Sequence, residues 1–165
     1  MELTVVEGDI TEQDVDAIVN AANERMRGGG GVDGAIHRAA GPGLLDECRT
    51  RFPAGLPTGQ AGWTHGHDLR AAWVIHVVGP VYDGSGANRD NLVSCYANAL
   101  AVADEIGATS VAFPLVSAGV YGWPRDDAIA AAVDTIRSTP TSVTSARMVA
   151  FGRSTYDAIA AHLTG

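Results

Sequence analysis

Four consecutive glycines, Gly28 to Gly31, constrain this chain more than any other feature. Glycine loses more backbone freedom on ordering than any other residue and buries almost no side chain, so the run is poor material for a packed core. It fits a place where the main chain turns sharply and comes close to another group. The flanking residues indicate that place, because residues 17–20 predict a short strand and residues 35–40 predict a helix.

A glycine-rich loop between a strand and a helix can bind an anion. Its backbone N–H groups and the positive end of the helix suit a phosphate. Two common nucleotide motifs are excluded, since no Gly-Lys-Ser/Thr follows the loop and the glycines do not form G-x-G-x-x-G. A plain flexible loop is the alternative for a glycine run taken alone. The short polar residues Asn20, Asn23 and Asp33 bracket the glycines and favour a ligand site.

A second glycine-bearing loop, residues 117–122, also lies between a predicted strand and a predicted helix. The strand is expected at residues 110–115, and the helix begins at Pro124 with Asp126 and Asp127 in its first turn. A routine strand–helix connection is the alternative. In open α/β sheets, however, ligands bind beyond the carboxyl ends of the strands, where such loops collect. We therefore predict a second phosphate-binding wall that faces the first.

The rest of the chain alternates between strand and helix patterns. Further strands are predicted at residues 3–6, 59–65, 73–78 and 147–151, and further helices at residues 44–52, 92–107 and 154–163. Residues 44–52 are expected to form an exposed helix, and Ser154 is expected to cap the last one. The pattern predicts an α/β sandwich with a central, mostly parallel sheet. A single domain spanning residues 1–165 is the natural interpretation of this length.

Several candidate residues have an ordinary structural explanation as well. Asp33 could be the N-cap of the first helix, and His37 lies one turn further on, where it can face the same side. His76 lies inside an apolar strand, which favours a hydrogen-bonded core histidine. His65 and His67 have the spacing of neighbours on one strand face. No third ligand accompanies them at a recognised spacing, so we predict no metal site.

Composition narrows the possible partners and the compartment. The formal net charge of −8 argues against general nucleic-acid binding, which needs a basic surface. The chain has no lysine, so a diphosphate would be held by backbone N–H groups, helix ends and arginine. Cys48 and Cys95 lie far apart and are expected to be free, buried thiols. No run is long enough to span a membrane and no secretory signal is visible, so we expect a cytoplasmic protein that does not bind membranes.

Six motifs in this chain resemble those of the macrodomain family, and within it the MacroD-type ADP-ribosyl hydrolases. In chain order they are G-D-I-T at residues 8–11, N-A-A-N at 20–23, G-G-G-V-D-G-A-I-H at 29–37, T-G-Q-A at 58–61, V-I-H-V-V-G-P at 74–80 and F-P-L-V-S-A-G-V-Y-G at 113–122. The resemblance covers nearly the whole chain. It implies a three-layer α/β/α fold with a mixed, mostly parallel sheet, and a hydrolase that removes mono-ADP-ribose from Asp or Glu side chains. O-acetyl-ADP-ribose is the related small substrate.

The resemblance also implies a role for individual residues. Asp33 would position and polarise the attacking water, and Asn23 would bind the distal ribose, so both are predicted to be catalytic. Asp9, with Ile10 beside it, would bind the adenine amino group, and Phe151 would pack against the adenine. The other predicted ADP-ribose-binding residues are Asn20, Gly29, Gly30, Gly31, Val32, His37, Ser117, Ala118, Gly119, Val120 and Tyr121.

Two other functions use the same pocket. The chain could be a non-catalytic module that only binds ADP-ribose, or a phosphatase acting on ADP-ribose 1″-phosphate. The pair Asn23 and Asp33 favours the hydrolase, because pure binding modules of the family commonly lack it. We expect a monomer that binds ADP-ribose and ADP-ribosylated proteins and needs neither a cofactor nor a metal. The lysine-free, alanine-rich composition is typical of a bacterial protein from a GC-rich genome.

Overall fold

Six strands form one sheet in the computed structural model, which describes every residue from Met1 to Gly165. The strands are β1 (Glu2–Glu7), β2 (Ala17–Ala22), β3 (Ala61–His65), β4 (Trp73–Val78), β5 (Ser110–Phe113) and β6 (Ser145–Ala150). Their order across the sheet is β1-β6-β5-β2-β4-β3. Every neighbouring pair is parallel except β3 and β4, which are antiparallel. The predicted mixed, mostly parallel sheet is confirmed.

Helices cover both faces of this sheet. They are α1 (Gly31–Ala40), α2 (Pro42–Arg51), α3 (Arg89–Ile106), α4 (Arg125–Ser138) and α5 (Arg153–Thr164), with a short 3-10 turn at Ile10–Glu12. Apolar residues of α1 and α2 pack on one face, and those of α3, α4 and α5 pack on the other. The predicted three-layer α/β/α architecture is therefore confirmed. None of the helices combines the length and the apolar character needed to cross a membrane.

Strand β4 shows how the sheet divides its side chains between the two layers. Ile75 and Val77 join the core under α3, α4 and α5, whereas Val74 and Val78 join the core under α1 and α2. This alternation follows from the two-residue period of a strand. Because both faces are covered, the strand is an almost continuous apolar run. His76 interrupts it and points toward the α1–α2 layer with its same-face neighbours.

Glycines end two helices where the sequence predicted a break. Gly41 follows α1 with a φ of +84°, and Pro42 then begins α2. Proline suits that first position because its missing N–H would be unpaired there in any case. Gly107 follows α3 in the left-handed conformation, and its N–H bonds the carbonyls of Ala103 and Asp104. The predicted ends of both helices are confirmed.

Three local predictions are wrong. Helix α2 is not simply exposed, because Leu44 and Cys48 are buried against the sheet. Gly152, not Ser154, is the N-cap of α5, and the Ser154 hydroxyl instead accepts a hydrogen bond from Arg125 at 2.8 Å. His67 does not share a strand face with His65. Strand β3 ends at His65, because the chain then reverses toward the antiparallel β4, which leaves the second histidine in the turn.

Candidate functional site

A cleft of about 350 Å³ opens at the carboxyl ends of β2 and β5. These strands are neighbours in the sheet, so the two glycine-bearing loops that follow them meet across it. The lining residues are Ala21, Ala22, Asn23, Gly29, Gly30, Gly31, Val32, Asp33, Gly79, Leu115, Val116, Ser117, Gly119, Val120 and Tyr121. The structure thus brings together both predicted phosphate-binding walls.

The N-terminus of α1 faces this cleft. Gly30 is the N-cap and offers no side-chain hydrogen bond, and the first helical hydrogen bond runs from Gly34 N to Gly30 O at 3.1 Å. The N–H groups of Gly31, Val32 and Asp33 precede that bond and have no backbone partner. Together with the helix dipole they favour a negatively charged group in the cleft.

Asp33 is a buried carboxylate on the cleft wall and is not the N-cap of α1. Its side chain lies in the first turn of the helix, and the residue is only 4% exposed. Oδ1 accepts a hydrogen bond from Asn20 Nδ2 at 2.8 Å, and His37 Nε2 lies 3.4 Å from the same oxygen. Burial raises the pKa of Asp33, and the Asn20 and His37 contacts oppose that rise without cancelling it. The carboxylate is therefore more basic than one in water.

Gly29 marks the point where Asp33 and Asn23 converge. A Cβ atom at this position would lie 3.1 Å from Asp33 Oδ2 and 3.2 Å from Asn23 Nδ2. The absence of a side chain leaves room for both polar groups at the wall. Asn23 also shapes the loop, since its Nδ2 donates to Gly28 O at 3.2 Å and its Oδ1 accepts from Arg25 N at 3.1 Å. The carboxylate and the amide thus bracket the same part of the cleft.

The second loop is fixed by contacts with the segment that follows β4. Ser117 has a left-handed φ of +65°, and its hydroxyl donates to Pro80 O at 2.7 Å. A Cβ at Gly79 would collide with the Ser117 hydroxyl and with Val116. The backbone N–H of Tyr82 donates to Tyr121 O at 2.8 Å. Non-glycine residues rarely adopt such a φ, and they do so mainly where function fixes the backbone.

A chain of buried polar groups runs from Asp33 into the protein. Asn20 is fully buried, and its Nδ2 also lies 3.1 Å from His76 Nδ1. His76 Nε2 lies 2.9 Å from the hydroxyl of Thr64. Burial lowers the pKa of His76 to about 3, with a smaller contribution from nearby His37, so the imidazole is neutral. The prediction of a hydrogen-bonded core histidine is confirmed.

Several predicted site residues do not line the cleft. Asn20 and His37 contact Asp33 from behind, and Ala118 belongs to the second loop without facing the cavity. Asp9 caps the short 3-10 turn, where its Oδ1 accepts from the backbone and hydroxyl of Thr11.

The residues predicted to contact the adenine lie at the ends of β1 and β6. Ile10, in the turn after β1, is buried, whereas Phe151, directly after β6, is 94% exposed. Because β6 is adjacent to β5, these positions lie along the same sheet edge as the cleft. The adenine contacts of Asp9, Ile10 and Phe151 stay predictions.

Sequence reasoning missed part of the lining. The cleft is also lined by residues that were not among the predicted site residues: Gly79, Ala21, Ala22, Leu115 and Val116. Two signals could have found them, since each lies at or just after the carboxyl end of a parallel strand and within one of the family motifs. No group of three His, Cys, Asp or Glu side chains is arranged to hold a metal ion.

Comparisons with known proteins agree with this geometry. A family model described as Macro domain matches residues 19–132. The macro domain-containing protein SCO6450 of Streptomyces coelicolor is 54% identical over 165 residues, which cover 98% of each chain. Human ADP-ribose glycohydrolase MACROD2 is 49% identical over 138 residues, which cover 82% of this chain and 32% of that protein.

Solved structures extend the comparison to the fold. The Oceanobacillus iheyensis macrodomain with ADP superposes with a TM-score of 0.91 at 38% identity, covering 97% of this chain and 88% of that one. The Trypanosoma brucei macrodomain in complex with ADP-ribose gives a TM-score of 0.90 at 39% identity, covering 98% and 68%.

Proposed function

The chain belongs to the macrodomain family, and we propose that it hydrolyses the ester bond between the distal ribose of ADP-ribose and an acidic protein side chain. O-acetyl-ADP-ribose is the small substrate of the same chemistry. The observation that carries this proposal is the buried carboxylate of Asp33, which converges with Asn23 at Gly29 on the cleft wall. A site that only had to bind a nucleotide would not need a desolvated carboxylate there.

Binding of ADP-ribose is supported by both cleft walls and by the relatives. Two macrodomains of closely similar fold form complexes with ADP and with ADP-ribose. In this chain the diphosphate would lie between the N-terminus of α1 and residues 117–122, where unpaired N–H groups are available. Backbone binding suits this chain, because it has no lysine and no arginine lines the cleft, so N–H groups and the helix end must supply the positive partial charge. Asn23 would hold the distal ribose through hydrogen bonds to its hydroxyl groups.

Asp33 would act on the water that attacks the ester. The water's oxygen attacks the ester carbonyl carbon as one of its protons passes to the Asp33 carboxylate. The bond between that carbon and the ribose oxygen then breaks, and the proton passes from Asp33 to the departing ribose oxygen, which restores the carboxylate. The products are ADP-ribose and the free acidic side chain. A raised pKa makes the carboxylate a better base than one in water. Oδ1 is held by Asn20, so Oδ2, which lies toward Gly29, is the oxygen available to the water.

Turnover of O-acetyl-ADP-ribose and of an Asp- or Glu-linked ADP-ribosylated protein tests this function. We expect Asp33→Ala to lower kcat by at least about 100-fold, because general-base catalysis contributes about 10²- to 10⁴-fold. Asp46→Ala is the matched control, since this exposed acid lies on α2 outside the cleft. Full activity of Asp33→Ala would remove this residue from the mechanism.

Two results of the same assays would favour another function. Tight binding of ADP-ribose in calorimetry, with no turnover of any ester-linked substrate, would identify a binding module. Release of inorganic phosphate from ADP-ribose 1″-phosphate, without ester hydrolysis, would identify a phosphatase. Asp33→Ala should bind ADP-ribose within a few-fold of the parent protein, because phosphate binding depends on the backbone.

A further inference from the structure

Behind the catalytic carboxylate lies a polar side chain to which the proposed mechanism gives no role. We infer that His76 is a positioning residue that holds the NH₂ group of Asn20 against Asp33 and so keeps the carboxylate ionised and aimed. The inference rests on the proposed hydrolase function for its kinetic meaning, but its structural part can be measured without turnover. His76 does not line the cleft, so it acts through Asn20 rather than on the substrate.

The register of the sheet creates this contact. Asn20 on β2 pairs directly with His76 on β4, so both side chains project from the same face toward α1 and α2. Asn20 Nδ2 can only donate, and it reaches Asp33 Oδ1 at 2.8 Å and His76 Nδ1 at 3.1 Å. Since His76 is neutral, its Nδ1 accepts this hydrogen bond and the ring proton resides on Nε2.

Thr64 fixes that tautomer from the other side. Its hydroxyl donates to His65 O at 3.1 Å, so the hydroxyl oxygen is left to accept from His76 Nε2 at 2.9 Å. Every donor in the series from Thr64 to Asp33 then meets one acceptor. A proton on Nδ1 instead would oppose the NH₂ group of Asn20, and Nε2 would then accept a hydrogen bond only if Thr64 gave up its own bond to His65 O.

The orientation of the Asn20 amide depends on these contacts alone. Its Oδ1 is buried and has no hydrogen-bond partner, so nothing on the oxygen side holds the group in place. A half-turn of the amide would direct Oδ1 at the Asp33 carboxylate and at His76 Nδ1, both of which are acceptors. His76 therefore disfavours the one rotation that would replace a donor to Asp33 with a repelling oxygen.

Other groups also face Asp33 and must be kept constant in a test. His37 lies on the same helix as Asp33 and contacts it. Cys48, on α2, lies near Asp33, and Arg27 lies near Cys48. Burial raises the pKa of Cys48 to about 11, so this thiol is neutral near pH 7. With the pKa of His76 at about 3, this imidazole does not titrate in the range of an activity assay. A changed pH profile would then report Asp33, and His37 is left unchanged in every variant.

The test substitutes His76 and follows Asp33. His76→Leu removes the acceptor, and we expect the pKa of Asp33 to rise and the acidic limb of the kcat–pH profile to move to higher pH. A loss of about tenfold in kcat near pH 6 is the expected size, with little change in KM. His76→Asn offers a side-chain oxygen in place of Nδ1 and should restore much of the activity. Ile75→Val, on the opposite face of the same strand, is the control for disturbed packing.

A second readout keeps the inference independent of the proposed reaction. The ¹³C resonance of the Asp33 carboxyl group, followed by NMR during a pH titration, reports its ionisation without substrate. A higher pKa of Asp33 in His76→Leu, but not in Ile75→Val, supports the inference. This holds even if the protein hydrolyses no ester, because the lack of turnover would contradict only the proposed function. An unchanged Asp33 titration in His76→Leu overturns it. If that variant does not fold, Thr64→Val decides in the same way, with a smaller shift expected in the same direction.

Discussion

The two helical layers of this protein bury different kinds of residue. The hydrophobic core beneath α3, α4 and α5 contains 27 buried residues, and Thr135 is the buried polar residue that these helices carry. The core beneath α1 and α2 contains 15, and the buried Asn20, Asp33 and His76 lie on the same side. An apolar core can tolerate repacking, whereas each buried polar group needs a correctly placed partner. The contrast indicates that the layer of α3, α4 and α5 chiefly stabilises the fold, whereas the layer of α1 and α2 chiefly positions the polar groups of the candidate site.

Removal of a large side chain from the apolar layer should give the largest change in stability. Ile136 is fully buried near the end of α4, far from the cleft lining. We expect Ile136→Ala to lower the free energy of unfolding by about 3 kcal/mol, because the substitution loses apolar burial and leaves a cavity. The kcat of the molecules that remain folded should not change. Urea denaturation and ester turnover below the unfolding transition measure the two quantities, and a parallel loss of kcat would erase the proposed distinction between the layers.

The reverse result is expected from Asp33→Asn in the polar layer. The pKa of Asp33 is raised in the folded state, so this carboxyl group lowers the stability of the fold as the pH rises above the unfolded value of 3.8. Its replacement by a neutral amide of the same shape should raise the free energy of unfolding at pH 7 by about 1 kcal/mol and lower kcat by at least about 100-fold. This gain should vanish as the pH falls below the unfolded value of 3.8, where the carboxyl group is protonated in both the folded and the unfolded states. Thermal unfolding at about pH 7 and about pH 3 checks it, and a destabilised variant would show that Asp33 is a structural residue.

The smallest effect concerns the outer edge of the polar layer. Burial raises the pKa of Glu47 on α2, but hydrogen bonds from Arg51, His67 and His65 outweigh it and lower the pKa to about 2. A depressed carboxyl pKa stabilises the fold above the unfolded value of 4.5, and the contribution is lost as the pH falls toward 2.

Glu47→Gln should therefore lower the free energy of unfolding at pH 7 by about 1 kcal/mol, a value limited by solvent screening of the ion pairs. The variant and the parent should converge as the pH falls from 4.5 to 2. Asp46→Asn serves as the control. Asp46 is an exposed neighbour whose contact with Arg49 is long, at 3.7 Å. Chemical denaturation across this pH range distinguishes the two variants, and an equal effect of both would mean that the hydrogen bonds of Glu47 contribute nothing.

Periodicity predicted most of the fold because it is a local property. Strand β4 was predicted with its observed ends, since it is a nearly continuous apolar run that Gly79 and Pro80 follow. The start of α1 was placed too late, because glycine lowers helix propensity and Gly31 nevertheless begins the helix. Helix α2 was expected to be exposed because its few apolar residues give little amphipathic signal, yet Leu44 and Cys48 are buried. Tertiary packing decided both cases.

The candidate site was predictable only where motif and position coincide. Asn23, Asp33 and the two loops carry a recognisable pattern, and the structure brings them to one cleft. The link between Asn20 and His76 joins residues 56 positions apart and depends on the β2–β4 register, which the sequence does not state. The sequence also did not predict that His65 and His67 both contact Glu47. The reason is the same, because Glu47 lies on α2 and the contacts depend on how α2 packs beside β3.

The pairing of β2 with β5 has a consequence for how the protein is made. Ala17 lies beside Val111, so the first cleft wall is synthesised long before its partner strand. A ribosome-bound chain that ends before β5 therefore carries only half of the nucleotide pocket. Binding competence arises late, when this non-local pair closes, and the slow step of assembly is expected to be the same event. Ligand capture by a nascent chain would accordingly report that β5 has paired with β2.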